Sequence, residues 1–169
     1  MAATSVRRRA LAGALTLAAI ASPAATAHAQ GAYGYVFGAP GAISCCGESE
    51  GTLHFGGGGE FVTPIGVGVG AELGFLGTWD GFSEGIGVFS VNGSYHFARS
   101  RGRKLDPFVT AGYSLAFRQG HANMGNVGGG ANIWLHPRVG LRLEFRDHLW
   151  EGQGSKVQYW GLRIGAAFR

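Results

Sequence analysis

The ionisable residues of this chain are few, and some are regularly spaced. Lys, Arg, Asp and Glu make up 14% of 169 residues, well below the ~25% usual in soluble domains. Late in the sequence Arg142, Glu144 and Arg146 alternate with Leu141, Leu143 and Phe145. Glu60, Glu72, His54, His96 and Arg163 sit in similarly apolar or glycine-rich surroundings. Three kinds of chemistry suit such a set. Charges removed from water must pair, so Glu60, Glu72, His96, Arg142, Glu144, Arg146 and Arg163 can form a structural ionic network. The same charges around a pore would select ions. Hydrolysis needs a nucleophile, a base and an orienting carboxylate, and Ser94, His96 and Glu72 supply those types. No HExxH, GxSxG or P-loop is present, and the glycine run 56–59 lacks the Lys-Ser/Thr that a phosphate loop requires. The expectation is therefore no catalytic residue, no cofactor and no metal.

Cys45 and Cys46 are adjacent and are the only cysteines. Two cannot staple a disulfide-rich scaffold or fill a four-ligand zinc site. They could close a vicinal disulfide, pair between molecules or stay reduced. His121 has no evident partner and is expected to be solvated.

Whatever these residues do, period-two segments must hold them, since a strand sends successive side chains to opposite faces. Eight such segments can be read. Val139 to Leu149 shows the sharpest contrast: Val139, Leu141, Leu143, Phe145 and Leu149 on one face, Arg142, Glu144, Arg146 and His148 on the other. Val67–Trp79, Phe89–Phe97, Val109–Arg118 and Trp160–Arg169 alternate in the same way. Ala32–Ala39, with Tyr33, Tyr35 and Phe37 sharing a face, Thr52–Val62 and Val127–Leu135 complete the set. Turn chemistry separates them: 41–51, 63–66, 80–85, 98–106, 119–125, 136–138 and 151–156. Glycine, at 32 residues, is abundant, yet without a G-X-Y period and with 12% aromatics the chain is neither collagen-like nor low-complexity.

Residues 1–29 read as a cleaved secretory signal peptide. Arg7, Arg8 and Arg9 precede an apolar stretch, Ala10 to Ala21, too short to span a bilayer as a helix, and Ala27-His28-Ala29 offers a cleavage site. Losing those arginines lowers the formal charge from +4 to +1, so the basic isoelectric point is no argument for nucleic-acid binding. Residues 30–169 form one domain.

The polar faces are mostly Gly, Ser, Thr and Asn. That is a poor soluble exterior but a good lining for a narrow cylinder, while the Val, Leu, Ile and aromatic faces suit lipid. Backbone in lipid must be fully paired, which demands closure. The expected fold is all-β: an eight-stranded antiparallel up-and-down transmembrane β-barrel, apolar outside and polar inside. With the mature N-terminus periplasmic, Tyr33, Phe61, Phe97 and Phe168 should form one outward aromatic girdle, and Phe55, Trp79, Phe117 and Trp160 the other. The turn 98–106, with Arg99, Arg101, Arg103 and Lys104, is expected to be solvated on the periplasmic side. A bore of eight strands is just wide enough for side chains, so the ionic set is read as a plug, with Glu144 facing Arg163 on the neighbouring strand.

The signal peptide, the eight segments and the closing strand Gln158-Tyr159-Trp160-Gly161-Leu162-Arg163-Ile164-Gly165-Ala166-Ala167-Phe168 together resemble the small eight-stranded outer-membrane β-barrel family of Gram-negative bacteria, akin to the transmembrane domain of outer membrane protein A. That family usually ends on an aromatic, whereas here Arg169 follows Phe168. The resemblance implies a monomeric cell-envelope protein whose partners are outer-membrane lipid, lipopolysaccharide and the assembly machinery, with a non-enzymatic envelope role. The alternatives are a small porin or channel, a lipid A-modifying barrel enzyme, and a soluble secreted barrel for an apolar ligand.

Overall fold

The computed structural model describes residues 31–97, 104–118, 120–152 and 155–169. The signal-peptide segment 1–29 and Arg99, Arg101 and Arg103 of the basic turn lie outside the described residues. Among the described residues eight strands form one closed barrel. They are β1 (Ala32–Cys45), β2 (Glu48–Val62), β3 (Val67–Thr78), β4 (Ile86–His96), β5 (Leu105–Phe117), β6 (His121–His136), β7 (Val139–Gly152) and β8 (Ser155–Phe168). Each pairs antiparallel with the next, and β8 closes on β1 through pairs such as Gly34 with Phe168 and Gly41 with Gly161. Closure leaves no sheet edge, the condition for crossing lipid with strands.

The alternation runs in the inverted sense. On β7, Leu143 and Phe145 are 36% and 49% exposed, whereas Arg142 and Arg146 are 3% and 1% exposed. Phe55, Phe61, Trp79, Phe97, Phe117, Trp160 and Phe168 all face outward. Tyr33 does not. It is buried in the bore with Tyr35 and Phe37, so it leaves the expected girdle. The reason is space. Tyr35 is flanked by Gly58 on β2 and Ala167 on β8, and Phe37 by Gly56 and Gly165. A Cβ on Gly58 would sit 2.5 Å from the Ala71 carbonyl oxygen and 2.8 Å from the Glu72 Cβ. Large rings and missing side chains thus alternate around the wall, as a narrow barrel requires.

Several strands outrun the sequence reading. The first outer hairpin, expected as a loop over 41–51, stays paired up to Cys45 with Glu48. Its turn is only Cys46-Gly47, with φ of 57° and 89°, the positive torsions of a tight primed hairpin turn. β6 begins at His121 instead of after a loop to Gly125, leaving His121 exposed on a strand. β5 begins at Leu105, which puts Asp106 and Phe108 in the bore. Continued pairing satisfies backbone groups that a loop would leave to water. The connection after β3 keeps a short 3-10 turn, Phe82–Glu84. There the Phe82 ring packs 5.4 Å from Phe75 and 6.0 Å from Phe55.

Candidate functional site

The bore carries the chain's buried ionic groups in tiers. Nearest the end that holds Ala32 and Phe168, Glu60 on β2 accepts hydrogen bonds from the Tyr33 hydroxyl at 2.6 Å and from the Ser94 hydroxyl. His96 on β4 lies between two carboxylates. Its Nε2 is 3.0 Å from Glu60 Oε1, and its Nδ1 is 3.0 Å from each Asp106 oxygen. An imidazole donates at both nitrogens only as the cation. Arg142 then bridges upward. It donates to the Tyr33 hydroxyl at 3.0 Å and lies 3.6 Å from Glu60 Oε2.

Glu144 is the hub of the middle tier. Arg142 reaches its Oε2 with Nε and Nη2, both at 3.0 Å. Arg146 reaches its Oε1 with Nε and Nη2. Arg163, directly opposite on β8, is 3.9 Å from Oε1. Glu72 supplies the second carboxylate. Both its oxygens lie 2.9 Å from Arg163 Nη1, Arg146 Nη1 is 3.5 Å away, and the Tyr35 hydroxyl donates at 3.0 Å. The aromatic rings that fill the bore also stack on the cations. Arg142 lies 4.4 Å from the Tyr35 centroid and 4.1 Å from that of Phe108, and Arg163 lies 4.3 Å from that of Phe37. Charge pairing and cation–π contact thus compensate guanidinium groups that could not otherwise leave water.

Above this tier the lining becomes neutral. Asn126 donates to Ser114 at 2.9 Å and accepts from Arg146 at 3.2 Å, and Ser114 meets Ser90 at 2.8 Å. His148 stacks on Tyr159 at 5.2 Å, and His54 meets Phe37 edge-on at 5.0 Å. Among the described residues, the ring nitrogens of both histidines and the hydroxyls of Thr52 and Tyr159 find no hydrogen-bond partner.

The nucleophile–base–acid arrangement read into Ser94, His96 and Glu72 is not assembled. Ser94 gives its hydroxyl proton to Glu60, both ring nitrogens of His96 face carboxylates, and Glu72 is held by Arg163 and Arg146. Neither nitrogen of His96 is left to accept a proton from Ser94. Among the described residues no group of three or more His, Cys, Asp or Glu could hold a metal ion.

All seven ionic residues singled out in the sequence therefore meet in one contiguous cluster. Sequence reasoning missed Asp106, Tyr33, Tyr35, Phe108 and Asn132 as its partners. A signal for Asp106 existed, because it shares parity with Thr110 and Ser114, which are buried in the bore on the same strand, but Pro107 and the basic stretch before it look like turn. Cys45 and Cys46 are free thiols at the tip of the first hairpin. Arg169 stacks 3.7 Å over Trp134, and its backbone N–H donates to the Arg138 carbonyl at 3.0 Å. The residue beyond the terminal aromatic is thereby tied into the barrel end.

No family model matches the sequence, and no curated protein matches it. Solved structures do share the fold. Neisserial surface protein A superposes with a TM-score of 0.61 at 14% identity, over 81% of this chain and 96% of that one. The N-terminal β-barrel domain of Pseudomonas aeruginosa OprF gives 0.57 at 16% identity, over 80% and 96%. A de novo designed transmembrane β-barrel gives 0.50 at 18% identity, over 82% and 94%. The architecture is that of the small eight-stranded outer-membrane barrels.

Proposed function

We propose that this chain is an integral barrel of a Gram-negative outer membrane, exported by residues 1–29, whose role is structural and not enzymatic and whose bore is closed by its own side chains. One observation carries the reading: the same strand buries Arg142, Glu144 and Arg146 to 3% exposure or less while offering Leu143 and Phe145 to the surroundings. In water that arrangement would strip charges of solvent and expose apolar surface at once. In lipid the apolar outer surface meets a matching medium, and the inward charges are paired with one another out of contact with hydrocarbon. The likeness to Neisserial surface protein A and the OprF domain supports the location. Lipid and lipopolysaccharide surround the monomeric wall, the assembly machinery inserts it, and the hairpins ending at Cys46-Gly47 and around 80–85 are displayed outside.

Closure of the bore supports the plug over the channel. Glu144 and Glu72 cross-link three arginines from β7 and β8, with aromatic rings packed against them, in a cylinder only wide enough for side chains. Two measurements test the proposal. The folded protein should migrate differently on SDS gels with and without boiling, and planar bilayers should show no stable conductance. Steady single-channel currents that change on Arg163→Ala would replace the plug with a pore. An altered lipid A mass spectrum in a deletion strain would replace the structural role with an enzymatic one.

A further inference from the structure

The first outer hairpin carries a feature that the barrel does not need. Cys46 is the one non-glycine residue with positive φ among the described residues, at 57°, and Gly47 follows at 89°. The first central position of such a turn favours Asn, Asp or Gly, because a Cβ is crowded there. A cysteine held in that conformation is an outlier that invites a functional explanation. The second observation is chemical. The Sγ atoms of Cys45 and Cys46 lie 2.8 Å apart, in hydrogen-bonding contact, with Cys46 exposed and Cys45 half-buried. No other cysteine exists in the chain to compete for either.

We propose that Cys45 and Cys46 form a reversible covalent modification site that exchanges with small external disulfides. The exposed Cys46 reacts first. Cys45 is the poorer initial nucleophile, since its hydrogen bond with Cys46 raises its pKa and the thiolate is the reactive form. Cys46 loses its proton to solvent, and its sulfur attacks one sulfur of a disulfide RSSR. A Cys46–SR bond forms, the S–S bond breaks, and RS⁻ leaves and takes up a proton. The Cys45 sulfur, already in contact, then attacks Cys46 and expels the second RS⁻. In sum, two thiols and RSSR become one intrachain disulfide and two RSH, and two electrons pass from the pair to RSSR.

The product is easily reversed. Adjacent Cα atoms are about 3.8 Å apart, whereas unstrained disulfides bridge roughly 4.4–6.8 Å, and strained ones reduce readily. Ring closure also demands torsions unlike those of the present turn, so each exchange resets the end of the β1–β2 ladder at the Cys45–Glu48 pair.

The test uses the folded protein in detergent micelles, reduced and then exposed to glutathione disulfide, with intact mass, free-thiol titration and non-reducing gels as readouts. Wild type should become lighter by two hydrogen atoms, lose both titratable thiols, stay monomeric and recover fully with dithiothreitol. Cys45→Ser should instead accumulate one stable glutathione adduct on Cys46, which traps the intermediate, whereas Cys46→Ser should react more slowly and only at Cys45. Unchanged heat-dependent gel mobility shows that the variants remain folded. Stable adducts on the wild type, covalent dimers or no reaction would each overturn the proposal.

Discussion

Strands β1 and β7 do the same job with opposite clarity. Both turn one face outward and the other into the bore. On β7 the inward residues are Arg142, Glu144, Arg146 and His148, and the outward ones are Leu143, Phe145 and Leu149. On β1 the inward residues are Tyr33, Tyr35, Phe37 and Ala39, and the outward face carries Gly34, Val36 and Gly38. By hydrophobicity alone β1 points the wrong way. Its rings turn inward because they serve the charges of β7. Tyr33 and Tyr35 donate to Glu60 and Glu72, and Tyr35 and Phe37 lie against Arg142 and Arg163. In a narrow inverted barrel an aromatic is as much a partner for buried cations as a lipid-facing anchor. Its direction is set by what stands across the bore, which no local pattern reports.

That dependence can be broken from either side. The largest effect belongs to the hub. Glu144→Ala leaves Arg142 and Arg146 without their closest carboxylate, and removing one partner of a buried pair costs about 3–5 kcal/mol. Denaturant unfolding of the variant in detergent or bilayers measures the loss. The next effect tests the direction of β1. Val36→Arg puts a charge on its lipid face two residues in from the Gly34–Phe168 pair and should cost on the order of 1–3 kcal/mol, between the interface and midplane values. Neutral behaviour would contradict a lipid-facing Val36. Tyr35→Phe keeps the ring against Arg142 but removes the hydroxyl from Glu72, a loss of about 1.5–3 kcal/mol for a bond to a charged group, read from the same unfolding curves. Smallest, and opposite in sign, Cys46→Gly relieves the positive φ and should stabilise the first hairpin by about 1 kcal/mol, visible as slower hydrogen exchange at the β1–β2 tip.

Strand number, antiparallel order and the inverted sense of the wall were legible because charges mark parity. Arg142-Glu144-Arg146 leaves β7 one orientation, and a period of two carries it along the strand. Strand ends were not legible where pairing continues through residues typical of turns, as at Ala42–Cys45 and His121–Gly125. Of the ionic cluster, the charged members could be listed in advance, since few charges interrupt the strands. Their neutral partners could not. Asn132, which reaches Asp106 and Tyr33 at 3.4 Å, looks like any polar residue in a glycine-rich stretch. The register that brings β5, β6 and β1 around Arg142 is set only when the cylinder closes.

Two tryptophans allow a direct test of which way the wall faces. Trp160 is 41% exposed on the outer surface, and Trp134 is 5% exposed inside the bore. Variants keeping only one of them, with the other tryptophans replaced by Phe, would be folded into vesicles containing brominated lipid. Strong fluorescence quenching of the Trp160 variant with little quenching of the Trp134 variant is the expected result. Equal quenching of both, or the reverse order, would contradict a barrel that turns its apolar side chains to lipid and locks its charges within.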